Sequence, residues 1–79
     1  MDSILSEIVD ILESKFALPR AGLTPDAEFE SLNLDSLVLT ELTVILQGRY
    51  GITLDESEVT GTRTIGELAA LVGTKGVAV

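Results

Sequence analysis

Apolar residues recur at intervals of three and four along the first stretch of the chain, at Leu5, Ile8, Val9, Leu12 and Phe16. That spacing puts them on one face and predicts an amphipathic helix over residues 3–16, capped by Asp2 or Ser3. Glu7, Asp10 and Glu13 fall toward the other side and read as a solvated face, because their spacing matches no metal-binding loop. The pattern stops at Leu18-Pro19-Arg20, and a long connection punctuated by Gly22 and by Thr24-Pro25-Asp26 runs on to Asp35. Thr24 is suited to capping, and Pro25 to the first position of a short turn. Phe29, Leu32 and Leu34 supply apolar anchors, so this connection is expected to fold over the core as a structured loop.

Helical spacing resumes over residues 36–50. At roughly 100° per residue, Val38, Leu39, Leu42, Ile45, Leu46 and Tyr50 share one arc of about 140°. Gly51 suits the left-handed residue that closes a helix, Arg49 sits where the dipole is negative, and Ile52 can pack back. Leu37 and Val44 fall outside the arc, near Thr40, Glu41, Gln47 and Gly48. They leave small apolar spots beside a carboxylate on an otherwise polar face, a surface that can dock a partner, although single exposed apolar residues by themselves call for no explanation.

Asp55 and Glu58 have the spacing of a capping box, predicting a short third helix that Thr60-Gly61 closes. Thr64 and Glu67 repeat that spacing, and Ile65, Leu68, Ala69, Leu71 and Val72 form the core face of a last helix of about two turns before Gly73. The expected fold is all-α: a four-helix bundle with a short third helix and a long loop between helices one and two. Residues 1–73 are read as a single domain, and residues 74–79, which carry no periodic signal, as a flexible tail.

Composition narrows the function. Seventy-nine residues, 46% hydrophobic but only 4% aromatic, give one small aliphatic core and no room for a large cleft. A formal net charge of −8 opposes nucleic acid and anionic lipid, and it either suits partners with basic patches or only confers solubility. Cysteine and histidine are both absent, which removes disulfides, thiolate metal sites, a thiol nucleophile and the usual imidazole base. No catalytic set can be assembled from the remaining residues. The acid cluster Asp55-Glu56-Ser57-Glu58 departs from a calcium loop at Ser57 and Val59, so no metal site is expected. Met1-Asp2-Ser3 lacks a basic start and no apolar run is long enough to span a bilayer. A cytoplasmic protein is the default expectation, and a monomer is expected.

The remaining chemistry centres on Ser36, which stands where the loop becomes the second helix. Its hydroxyl is expected to be exposed, and the nearby first-turn N–H groups favour an anion such as a phosphodiester. As an isolated dipeptide, Asp35-Ser36 reads equally well as plain helix capping. Ser3, Ser6, Ser14, Ser31 and Ser57 lack an Asp-Ser-Leu setting ahead of a long helix, Ser31 being the nearest rival.

Leu34-Asp35-Ser36-Leu37 resembles the carrier-serine motif of acyl carrier proteins. The likeness extends over essentially the whole chain: an anchored loop before the motif, a long amphipathic helix with Glu41 after it, a Tyr50-Gly51-Ile52 ending, then a short helix and a Thr-capped helix. This resemblance implies that Ser36, flanked by Asp35 and Leu37, carries covalent 4′-phosphopantetheine installed from coenzyme A by a phosphopantetheinyl transferase. The arm would hold acyl intermediates as thioesters, while the protein itself would catalyse nothing. Partners would be ketosynthase, acyltransferase or acyl-ligase enzymes that dock on Leu37, Thr40, Glu41 and Val44. Two departures from the family pattern stand out. Asn33 replaces a common glycine two residues before the aspartate, and Val38, Gln47 and Gly48 occupy positions where fatty-acid carriers place acids, leaving only Glu41. The resemblance therefore points to a polyketide or other specialised pathway more than to fatty-acid synthesis. A peptidyl, aryl or D-alanyl carrier, or an unmodified acidic helical adaptor, are the alternatives.

Overall fold

The computed structural model describes residues 3–75. Four α-helices run in the order α1 (Ser3–Phe16), α2 (Ser36–Tyr50), α3 (Glu56–Thr60) and α4 (Ile65–Gly73). The fold is the all-helical four-helix arrangement expected, with one addition: a single 3-10 turn over Arg20–Gly22 in the long connection. The expected cap at Asp2 and the fraying of residues 76–79 lie outside the described residues. At its start the tail is held, since the Thr74 N–H donates to the Ala70 and Leu71 carbonyls and Lys75 pairs with Glu58.

One aliphatic core joins the helices. From α1 it takes Leu5, Ile8, Val9 and Leu12, and also Ile4 and Ile11, which broaden the buried face beyond the strict three-four spacing. Phe16 stays half-buried at the edge. The helix α1 packs against α4, whose Ile65, Leu68, Ala69 and Val72 are all buried. The arc expected to face the core on α2 is only partly enclosed: Leu42 and Leu46 are fully buried, whereas Val38, Leu39, Ile45 and Tyr50 pack on the core while remaining half-exposed. The short α3, a helix of five residues, meets α2 on the side of Leu39 and Thr43.

The acids on α1 are solvent-facing but engaged. Arg20 donates to Asp10 at 2.8 Å and to Glu13 at 2.7 Å, while Glu7 accepts from Arg49. Arg20 thereby ties the start of the long loop to α1, and no cluster that could hold a metal ion occurs among the described residues.

The loop is pinned further along by backbone. Phe29 N–H donates to Arg63 C=O at 2.9 Å, and Ile65 N–H to Ala27 C=O at 3.2 Å, forming an isolated antiparallel bridge between Glu28 and Thr64. The Thr24–Ala27 hydrogen bond closes the turn that Pro25 enters, as its fixed φ favours. Pro25 C=O then accepts from Gly66 N–H at 2.9 Å. Leu23, Phe29 and Leu34 are buried and Leu32 packs beside them, so the loop forms one wall of the core.

Candidate attachment site at the start of the second helix

The stretch before Ser36 ends in a closed turn. Leu34 N–H donates to Phe29 C=O at 3.0 Å and Asn33 N–H to Glu30 C=O at 3.1 Å, with Asn33 at φ 58°. This is the Schellman arrangement that normally terminates a helix, with a left-handed residue before a buried apolar one. Asn33 therefore fills a position glycine would suit, and asparagine is the side chain that tolerates it best. Phe29 and Leu34, the two apolar residues the motif brings together, are both buried and fix where the chain leaves the turn.

From that anchor the chain enters α2 with Asp35 as its cap. The Asp35 carboxylate accepts from Val38 N–H at 3.0 Å, and Asp35 C=O accepts from Leu39 N–H at 3.0 Å. Asp35 thus takes the capping role, and Ser36 becomes the first residue of the helix. Its exposed hydroxyl makes no hydrogen bond among the described residues. Thr40 instead caps back on the helix itself, donating to Ser36 C=O at 2.8 Å. Ser31, the rival, sits inside the preceding turn and opens no helix.

Two cavities adjoin Ser36. One, of about 330 Å³, lies between α2 and α3 and is bounded by Leu39, Thr43, Val44, Leu54 and Val59. The Thr43 hydroxyl donates to Leu39 C=O at 2.7 Å, so its polar group is spent on its own helix and the lining stays mainly apolar. The other, of about 400 Å³, includes Glu28, Glu30 and Arg63. The larger cavity and Arg63 were not legible in the sequence, because that cavity forms where the loop and the α3–α4 turn meet; the other depends on how α2 and α3 pack together.

Leu37, Thr40, Glu41 and Val44 all lie on the exposed side of α2. Leu37 is 74% exposed and Val44 61%, the two large apolar side chains left open among the described residues. Gln47 does not belong to that face, contrary to expectation: its side-chain carbonyl accepts from Leu54 N–H at 2.8 Å and it is half-buried. The loop after α2 needed an acceptor there, and Gln47 is one turn from the helix end that supplies it. Glu67 differs in detail too. Thr64 accepts from Glu67 N–H at 3.1 Å as a cap should, but the Glu67 carboxylate accepts from Arg63 N–H rather than from that of Thr64.

Residues 6–72 match the family model described as "Phosphopantetheine attachment site". Acyl carrier protein 2 of Ralstonia nicotianae is 36% identical over 70 residues, covering 87% of this chain and 86% of its own. The meromycolate extension acyl carrier protein of Mycobacterium bovis is 28% identical over 72 residues, 90% of this chain. This chain spans 63% of the length of that relative. The crystal structure of an acyl carrier protein from Thermotoga maritima superposes with a TM-score of 0.81, at 18% identity, over 91% of this chain and 85% of that one. The fold and the family match together place the chain in the acyl carrier protein family, whose members are carriers and not enzymes. The group that this family attaches covalently is 4′-phosphopantetheine. An exposed hydroxyl free of protein hydrogen bonds, at a capped helix start with open space on two sides, fits such a group.

Proposed function

We propose that the chain holds acyl intermediates as thioesters on a 4′-phosphopantetheine arm borne by Ser36 and passes them between partner enzymes of polyketide, or fatty-acid, biosynthesis. The observation that carries this reading is the division of labour at the start of α2. Asp35 satisfies the helix end, so the Ser36 hydroxyl is left free and exposed. The Ser36 and Leu37 N–H groups, which precede the first intrahelical bond, lie at the positive end of the helix dipole and favour the phosphodiester anion. When bound, the arm supplies the thiol that the cysteine-free chain lacks.

Leu37, Thr40, Glu41 and Val44 form the partner face beside that serine. Two exposed aliphatic side chains flanking a carboxylate suit an enzyme surface that pairs an apolar pocket with a basic rim. Glu41 is the sole acid within α2, and this acid-poor face supports a specialised, polyketide-like pathway. The names of the two curated relatives support acyl cargo. The phosphopantetheinyl transferase and the ketosynthase, acyltransferase or acyl-ligase enzymes are the partners this reading requires.

Coexpression with a broad-specificity phosphopantetheinyl transferase, followed by intact mass measurement, tests the assignment. The expected result is the gain of one phosphopantetheinyl group that Ser36→Ala abolishes. No gain, or a gain that survives Ser36→Ala, overturns it.

A further inference from the structure

Three of the five bases are engaged in ion pairs: Arg20 with Asp10 and Glu13, Arg49 with Glu7, and Lys75 with Glu58. Arg63 is different. It is exposed, lines the cavity of about 400 Å³ that also includes Ser36, and its guanidinium has no hydrogen bond or ion pair among the described residues. Lys15, the remaining base, lies in the last turn of α1 and lines neither cavity.

The mount of Arg63 is rigid although its side chain is free. Its carbonyl accepts from Phe29 N–H at 2.9 Å, and its own N–H donates to the Glu67 carboxylate at 2.8 Å. It adjoins Thr64, which bridges to Glu28 across the loop. The backbone therefore fixes the point from which this side chain lines the Ser36 cavity, and its guanidinium has no partner among the described residues.

The electrostatics of the cavity give that placement a use. Glu28 and Glu30 share the same walls, and the chain carries a net charge of −8. A further anion added at Ser36 meets like charge on that side, which is unfavourable without a cation close by. A guanidinium is the suited group, since its planar fork matches two oxygens of a phosphate.

We infer that Arg63 is the side-chain contact for the phosphodiester of the arm on Ser36, biasing the arm toward the cavity of Glu28 and Glu30 instead of the apolar one between α2 and α3. The inference rests on the Ser36 attachment reading. Arg63 here is a positioning residue: it restrains the arm and takes part in no bond formation.

The test uses the full chain converted to its arm-bearing form, with mass measurement first and phosphorus-31 relaxation second. In the wild type the phosphodiester signal is expected to relax faster than in Arg63→Ala, with the restrained population falling roughly threefold on substitution, as for an exposed charge pair. Arg63→Lys is expected to restore part of the difference, and the Arg63 side-chain N–H resonance is expected to move when the arm is added. Raising the salt concentration should bring wild type toward Arg63→Ala. Equal relaxation in wild type and a folded Arg63→Ala overturns the inference while leaving the Ser36 assignment intact. Wild-type relaxation that does not respond to salt, with no movement of the Arg63 resonance, does the same without any substitution. Failure to gain the arm's mass overturns the attachment reading itself, and this inference with it.

Discussion

Lys75 Nζ donates to both carboxylate oxygens of Glu58, each at 2.7 Å, and links the residues just beyond α4 to the middle of α3. The same carboxylate accepts from Asp55 N–H at 3.2 Å, completing the capping box that starts α3. One side chain thus caps the shortest helix and ties it to the chain after the last. Because α3 supplies Val59 to the cavity wall beside Ser36, this contact helps hold that wall in place.

The Lys75 hydrogen bond, and secondarily the Asp55 N–H, hold the Glu58 carboxyl below its ordinary value of 4.5. A depressed folded pKa means that the stabilisation is present above the unfolded value and is lost as pH falls through the lowered folded one. Thermal unfolding of wild type and Glu58→Gln, followed from neutral pH into the acid range, should show wild type more stable at neutral pH. The gap should close as Glu58 becomes protonated. A gap independent of pH would assign the effect to packing instead of charge.

Asn33 holds a left-handed conformation that most side chains resist. Asn33→Ala is expected to cost about 1 kcal/mol, and Asn33→Gly to be tolerated. Ala17, at φ 56°, already carries that strain at the end of α1, so Ala17→Gly should gain up to about 1 kcal/mol. Urea denaturation with unchanged slopes is the appropriate measurement.

Gly66 is required for a different reason. A Cβ there would lie 2.9 Å from the Pro25 carbonyl oxygen, a backbone atom that has little room to give way. Gly66→Ala should therefore cost about 1–3 kcal/mol by overpacking. It should also slow modification of Ser36, because the displaced segment belongs to the loop that positions it. Denaturation and the rate of arm addition, measured on one preparation, check both expectations.

On α2 the exposed and buried leucines should behave oppositely. Leu42→Ala, at a fully enclosed site, should lose about 2–5 kcal/mol, enough to unfold a domain this small. Leu37→Ala and Val44→Ala should leave stability within about 0.5 kcal/mol. They should lower kcat/KM of the transferase or a partner enzyme instead. The partner face is wrong if these variants and Glu41→Lys leave every such rate unchanged.

Much of the fold was legible because helix signals are local. The caps at Asp55 and Thr64, the stop at Gly51 and the periodic stripes depend on residues three or four apart, and the structure places them as the spacing predicts. Less legible was how deeply each stripe is covered. Val38 and Ile45 lie on the predicted arc yet remain half-exposed, because the depth of cover depends on how the rest of the chain packs against α2 and not on anything within α2.

By itself the sequence determined the order of the helices, the position of Ser36 at the head of α2 and the two aliphatic residues left on its outer side, since each follows from neighbours within a turn or two. Only the tertiary structure decided that Asp35 caps while Ser36 stays free, that Gln47 serves Leu54, that the loop bridges to Thr64, and that Arg63 shares a cavity with Ser36. The last two bring together segments distant along the chain, the Gln47 contact crosses the turn after α2, and the first turns on which of two adjacent capping residues reaches the Val38 N–H. Helical periodicity encodes none of these: the cap is a matter of local side-chain geometry, and the loop bridge and the shared cavity come from packing.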